Sequence, residues 1–218
     1  MEPAAAGTVR LYHRQRSAVA VVGALLAWLA VGMVAVTATG MLLARDWRWN
    51  LGFMSAQYLG AAILVSAHWP LGMAAALLVT GWMSIAALGM TLTSLPPQFE
   101  FTERAWPHGG LFRVFMVGMI AVLAAGLAPQ GESFMPGVGA PIIAGSILLA
   151  GIGFLQLGTS SQVARIMLGL LTVVTGFEVL YAAVEASILV AGMLSVVILG
   201  LALVGAYLLN AALPEELP

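Results

Sequence analysis

Long apolar runs, each about the length needed to cross a bilayer, alternate along this chain with short clusters of charge, proline and indole. A helix crossing the hydrocarbon core needs about 20 predominantly apolar residues. Applied to this sequence, that length predicts seven α-helices, over about 17–43, 51–67, 71–93, 111–127, 138–157, 166–189 and 193–211. The first run ends in Arg45, Asp46, Trp47, Arg48 and Trp49, side chains suited to the headgroup layer. His68, Trp69 and Pro70 form the next break, because proline removes a backbone donor and turns its predecessor away from helix. The prolines, glutamates and Gly-Gly pair between Ser94 and Gly110 make the longest polar connection, and Pro129, Gly131, Glu132, Pro136 and Gly137 make another. From Ile166 to Leu209 the only charges are Glu178 and Glu185, and the stretch is long enough for two spans with a hinge expected at Gly192.

Composition supports an all-α, polytopic integral membrane protein with no separate soluble domain. The chain is 61% hydrophobic and 8% charged, with a mean hydropathy of +1.03, against about 25% charged residues in soluble domains. A basic tail, 1–16, precedes the helical domain, 17–211, and an acidic tail, 212–218, follows it. The tail arginines followed by an apolar run superficially resemble a signal peptide. The run from Ser17 to Ala44 is far longer than the roughly 7–15 residues of a signal core, so it reads as a retained helix. Three arginines precede the first helix while five others fall on the opposite side of a seven-helix arrangement, which divides the positive-inside rule.

Charge and residue usage also narrow the chemistry. A net charge of −1 and the lack of lysine argue against a nucleic-acid partner, which needs clustered cations. Without cysteine there is no disulfide, thiolate-held metal, iron–sulfur cluster or thiol nucleophile. His13, His68 and His108 lie in a tail, at a helix end and in a loop, where they do not suit a haem held between helices. With no phosphate loop or nucleophile elbow, the expectation is no cofactor, no metal and no catalytic site, with lipid and other integral membrane subunits as partners.

Glu178 and Glu185 are the residues most able to carry chemistry. An ionisable group at the bilayer centre costs about 2.5 kcal/mol or more and is by default a functional hypothesis. If one helix carries both, they differ by about 20° around it and lie about 10 Å apart along it. That is too far for direct proton transfer, and Tyr181, one turn from each, is the candidate bridge. The bland alternative is that these carboxyls only tie helices together, or that Glu185 is wetted at the surface. Gln57 and Gln156 are candidate polar helix–helix contacts. Gly52, Ala56 and Gly60 form a small-residue stripe that lets helices approach closely. Trp47, Trp49 and Trp69 read as interface markers. Arg113 and Arg165 read as snorkelling side chains or as counter-ions for a glutamate in a partner subunit.

The glutamate-bearing segment resembles the small three-helix membrane subunit of respiratory complex I and its relatives, hydrogenase-4 component E and the corresponding subunit of multisubunit cation/proton antiporters. Gly176-Phe177-Glu178-Val179-Leu180-Tyr181-Ala182-Ala183 is similar to the family's Gly-x-Glu segment, and Ala183-Val184-Glu185-Ala186-Ser187-Ile188 to the Ala-x-Glu-Ala-Ser segment on its next helix. Ala182 stands where the family usually has Asn, and the two segments share one predicted helix here. The resemblance implies a proton-path role, for Glu178 first and Glu185 second. The resulting expectation is a subunit of a proton- or cation-translocating assembly in an energy-coupling membrane. The alternatives are a structural membrane subunit and a free-standing small transporter.

Overall fold

The structure, a computed structural model, describes the backbone of residues 3–95 and 110–211 and the side chains of 21–95 and 110–211. The polar connection with Trp106 and His108, the acidic tail, and the side chains of the basic tail lie outside the described residues. Among the described residues seven helices follow one another: α1 Pro3–Leu43, α2 Trp47–Val65, α3 Leu71–Ser94, α4 Gly110–Phe134, α5 Ala140–Thr159, α6 Val163–Val184 and α7 Ile188–Ala211. No strand occurs among the described residues. Six helices, α2 being the exception, are long and apolar enough to cross a membrane, which makes this a multi-pass helical membrane protein.

Hydrogen bonds between connections show an up-and-down bundle with two distinct ends. At one end Arg113 Nη1 at the start of α4 donates to the Leu42 carbonyl (3.0 Å), and Arg165 Nη2 at the start of α6 donates to the Ala44 carbonyl (2.8 Å). Both arginines thereby cap the carbonyl end of α1, where unpaired carbonyls and the helix dipole favour a cation. At the other end Trp69 Nε1 donates to the Glu185 carbonyl (2.9 Å) and His68 Nε2 to the Gly137 carbonyl (3.3 Å), joining the α2–α3, α6–α7 and α4–α5 turns. We call these the arginine end and the tryptophan end. Gly137 holds φ 102°, a left-handed conformation that glycine adopts without steric cost.

Backbone contact is closest where α5 meets α6. A Cβ on Gly176 would lie 2.8 Å from Ala150 N and 3.0 Å from Ser146 O, and one on Gly153 would lie 2.9 Å from Gly169 O. No side chain fits between the two helices at these points. Around this pair stand α1, against α2 and α5, and α3, against α2 and α7, while α4 packs chiefly on α5 and buries only Ala124 and Ala128. Helix α2 runs through the middle, touching α1, α3, α5 and α6.

Several expected boundaries move. The basic tail continues α1, which is helical from Pro3, and α2 begins at Trp47, so the indole cluster opens that helix. Helix α4 runs on through Pro129, whose exposed position leaves the carbonyl freed by the missing N–H at the bundle surface. The break between α6 and α7 falls at 185–187 and not at Gly192, which lies inside α7. At this break Glu185 turns extended (φ −142°, ψ 132°) and gives its carbonyl to Trp69.

Candidate functional site

The apolar interior holds one concentration of polar side chains, between α2 and α6. Both helices run from the arginine end to the tryptophan end, so their residues meet in parallel register. Gln57 and Tyr58 come from α2, Thr172, Thr175 and Glu178 from α6, and none is more than 1% exposed. On α6 the three polar residues recur every third position, which winds them slowly across the face turned toward α2.

Hydrogen bonding in this cluster is partial. Gln57 Nε2 donates to Thr172 Oγ1 (3.3 Å) across the two helices and also reaches Met54 Sδ of its own helix (3.8 Å), and Thr172 Oγ1 reaches the same sulfur (3.7 Å). Thr172 and Thr175 direct their hydroxyl protons to the Leu168 and Leu171 carbonyls, both at 2.8 Å, which leaves their oxygen lone pairs facing the cluster. The Tyr58 hydroxyl lies beside Thr175 and within electrostatic reach of Glu178. Gln57 Oε1, the Tyr58 hydroxyl and Glu178 Oε2 have no hydrogen-bond partner among the described residues. A buried polar atom without a partner costs about 1–3 kcal/mol, so three in one region mark a place that needs an additional ligand such as water or a proton.

Space for Tyr58 comes from α3. Its ring lies over Gly81, where a Cβ would overlap the ring. The phenol is thus held by sterics at the depth of Thr175, with its hydroxyl facing polar groups and its ring in the core.

Glu178 and Glu185, expected on one stripe, are separated by the structure. Glu178 is 1% exposed, whereas Glu185 follows the last residue of α6, sits in extended backbone and is exposed. The angular argument requires a helix through both residues, and α6 stops one residue short of Glu185. Tyr181 is half-buried and stacks on the exposed Phe177 (centroids 6.1 Å, 28° between planes), so it does not bridge the two carboxyls. The phenol within electrostatic reach of Glu178 is Tyr58. Its signal in the sequence was its neighbour Gln57, which shares a face of α2 with Asn50 two turns earlier.

Gln156 Nε2 donates to the Arg165 carbonyl (3.2 Å), tying the end of α5 to the start of α6. The small-residue stripe divides: a Cβ on Gly60 would lie 2.8 Å from Val34 Cγ2 of α1, Ala56 is half-buried, and Gly52 is exposed with open space around it. Of the indoles, Trp49 is exposed and Trp47 half-buried, but Trp69 is buried. Arg165 is 3% exposed and reaches α1, and it lies about 20 Å along α6 from Glu178, too far to be its counter-ion. No group of three or more His, Asp or Glu able to hold a metal occurs among the described residues.

The fold and the cluster define a multi-pass helical membrane protein with one fully buried carboxyl among the described residues. No protein-family model, curated protein or solved structure matches the chain.

Proposed function

We propose that this chain is a membrane subunit of a complex I-like or antiporter-like proton-translocating assembly, in which Glu178 takes up and releases the proton. The observation that carries this reading is a carboxyl 1% exposed, with Oε2 unpartnered, within electrostatic reach of a buried phenol that itself lies beside Thr175. A carboxyl placed only to join helices would be expected to spend both oxygens on donors, because an unmade hydrogen bond in an apolar interior is costly. An oxygen held without a donor suits a group whose protonation changes in the working cycle. The resemblance of the Gly176–Ala183 segment to the proton-path segment of the complex I family adds to this reading. On it, α2 is a seventh span, the partners are integral membrane subunits, and the membrane is an energy-coupling one.

The test is native purification in mild detergent, followed by proton-movement measurements in sealed vesicles. Large membrane subunits are expected to co-purify in fixed stoichiometry. Glu178→Gln keeps them together and abolishes coupled proton movement, and normal pumping by that variant overturns the proposal. A second reading, a free-standing transporter, is favoured by one observation: Glu178, Tyr58, Thr175 and Gln57 all come from this one chain. Proton or cation flux by the purified chain alone in liposomes would establish it.

A further inference from the structure

The polar groups around Glu178 are not distributed evenly toward the two ends of the bundle. Toward the tryptophan end, the end of α6 lies about 9 Å from Glu178. The buried side chains that α2, α6 and the α2–α3 turn place there are apolar: Val65 (1% exposed), Val179 (1%), Ala182 (3%) and Trp69 (3%), whose single donor is held by the Glu185 carbonyl, and the buried Ser146 of α5 spends its hydroxyl on the Ile143 carbonyl. Toward the arginine end, polar groups recur on both helices. Thr175 with Tyr58 comes first, then Thr172 with Gln57, and near the end Arg165 and Asn50, each 3% exposed or less. Met54 and Leu168 occupy the step between Gln57 and Asn50. Even there the Leu168 carbonyl and Met54 Sδ accept hydrogen bonds from the column.

Unpartnered atoms follow the same direction. Glu178 Oε2, the Tyr58 hydroxyl, Gln57 Oε1 and Asn50 Oδ1 mark successive levels from the carboxyl toward the arginine end. Gln156 Oε1 and Gln162 Oε1, at the α5–α6 connection, add two more at that end. Such atoms are commonly satisfied by ordered water, which makes about three hydrogen bonds at a polar site, and a file of water and hydroxyls conducts protons without passing larger ions. Arg165 near the mouth directs Nη2 to the carbonyl end of α1, so the negative helix terminus offsets its charge there.

We propose that the α2–α6 polar column is a one-sided access path by which water and protons reach Glu178 from the arginine end, with Trp69 and its apolar neighbours closing the tryptophan end. The inference rests on Glu178 as the proton-carrying group and adds the route and its direction. Tyr58, Thr175, Gln57 and Thr172 position the file, and Met54, with its flexible thioether, fills the step between Gln57 and Asn50.

The chain contains no cysteine, so single thiols can be introduced without a background. Thr172→Cys, Thr175→Cys, Val65→Cys and Ala182→Cys are made in the full chain and exposed to silver ion in chloride-free buffer, in vesicles of each orientation. Reaction is read as protection from later maleimide labelling in detergent. The two threonine positions are expected to react from the arginine end, about tenfold or more faster than Val65→Cys and Ala182→Cys, because a thiol in apolar packing is inert. Reaction at Thr172→Cys or Thr175→Cys only from the tryptophan end, or at neither position from either side, overturns the path. The two replacements are independent and close in size to threonine, so misfolding of one leaves the other decisive. Loss of pumping in Glu178→Gln with this pattern absent refutes the route alone. Normal pumping with the pattern present refutes the carboxyl's role alone.

Discussion

Replacing Tyr58 by Phe separates a working hydroxyl from an idle one by the sign of a stability change. The ring is fully buried and seated over Gly81, and Phe keeps that packing. Only the hydroxyl is lost, and it has no direct partner among the described residues. If the hydroxyl is idle, its removal relieves an unpaired buried group and stabilises the protein by about 1–3 kcal/mol. If it is bridged through water to Thr175 and Glu178, removal loses an interaction of about 0.6 kcal/mol, the average for side-chain hydrogen bonds measured in a membrane protein. The expected outcome is therefore a loss of up to about 1 kcal/mol, read from reversible unfolding in mixed micelles. It is accompanied by a changed carboxyl C=O stretch for Glu178 in infrared difference spectra, assigned by its absence in Glu178→Gln. Tyr181→Phe, at a half-exposed position away from the cluster, should stay within about 0.5 kcal/mol and leave that band unmoved. A Tyr58→Phe protein that is more stable than the parent, with an unchanged Glu178 band, refutes the view that this phenol serves the carboxyl.

Two further outcomes follow from the packing. Gly176→Ala drives a methyl to within 2.8 Å of Ala150 N and 2.9 Å of Leu149 Cβ, backbone-bound atoms that move only if α5 and α6 part. The same micelle unfolding should therefore show a loss of about 1–3 kcal/mol, whereas Gly52→Ala, with open space around it, should be neutral or gain up to about 1 kcal/mol from helix propensity; equal effects at the two glycines would refute the close-approach account. Arg165→Gln removes a cation and the donor to the Ala44 carbonyl, and is expected to cost about 2–4 kcal/mol, with protease sensitivity rising first at the α1–α2 turn; resistance equal to the parent would show that the cap is dispensable.

How far the sequence could be read depended on whether a signal was local. Span lengths and breaker residues are local, which is why an all-helical chain of seven elements, and a turn at His68-Trp69-Pro70, were legible. The α6–α7 break was not, because it depends on Trp69 taking the Glu185 carbonyl from another part of the chain. Moving that break from Gly192 to 185–187 changed the chemistry, since it put Glu185 outside the helix and dissolved its shared stripe with Glu178. Glu178 itself was legible as an ionisable residue in an apolar run. Tyr58 was not singled out, because its partner groups lie on α6 and the glycine that admits its ring lies on α3. Gly153, Gly169 and Gly176, which bring α5 and α6 together, were equally hidden, since spacing alone does not distinguish them from the open Gly52.

Helix α2 links these points. It is the helix that fails the apolarity requirement for a span, yet it runs through the centre of the bundle and buries Asn50, Met54, Gln57 and Tyr58. Hydropathy measures compatibility with lipid, and past its first turn α2 offers the outside only the stripe of Gly52, Leu59 and Ile63, while the face with Asn50, Met54, Gln57 and Tyr58 is buried in the bundle. The polar residues that lower its score need partners within the protein, and on α6 they find Thr172, Thr175 and Glu178. A low score in the middle of an apolar bundle therefore locates the site, because polar groups are tolerated at membrane depth only where protein or water surrounds them. If α2 crosses the bilayer, Asp46 and Ser66 lie on opposite faces, and cysteines placed at the two positions will be labelled by an impermeant maleimide from opposite sides of sealed vesicles. Labelling of both from one side would leave α2 outside the membrane, and the buried carboxyl would then have no polar column leading to it from within.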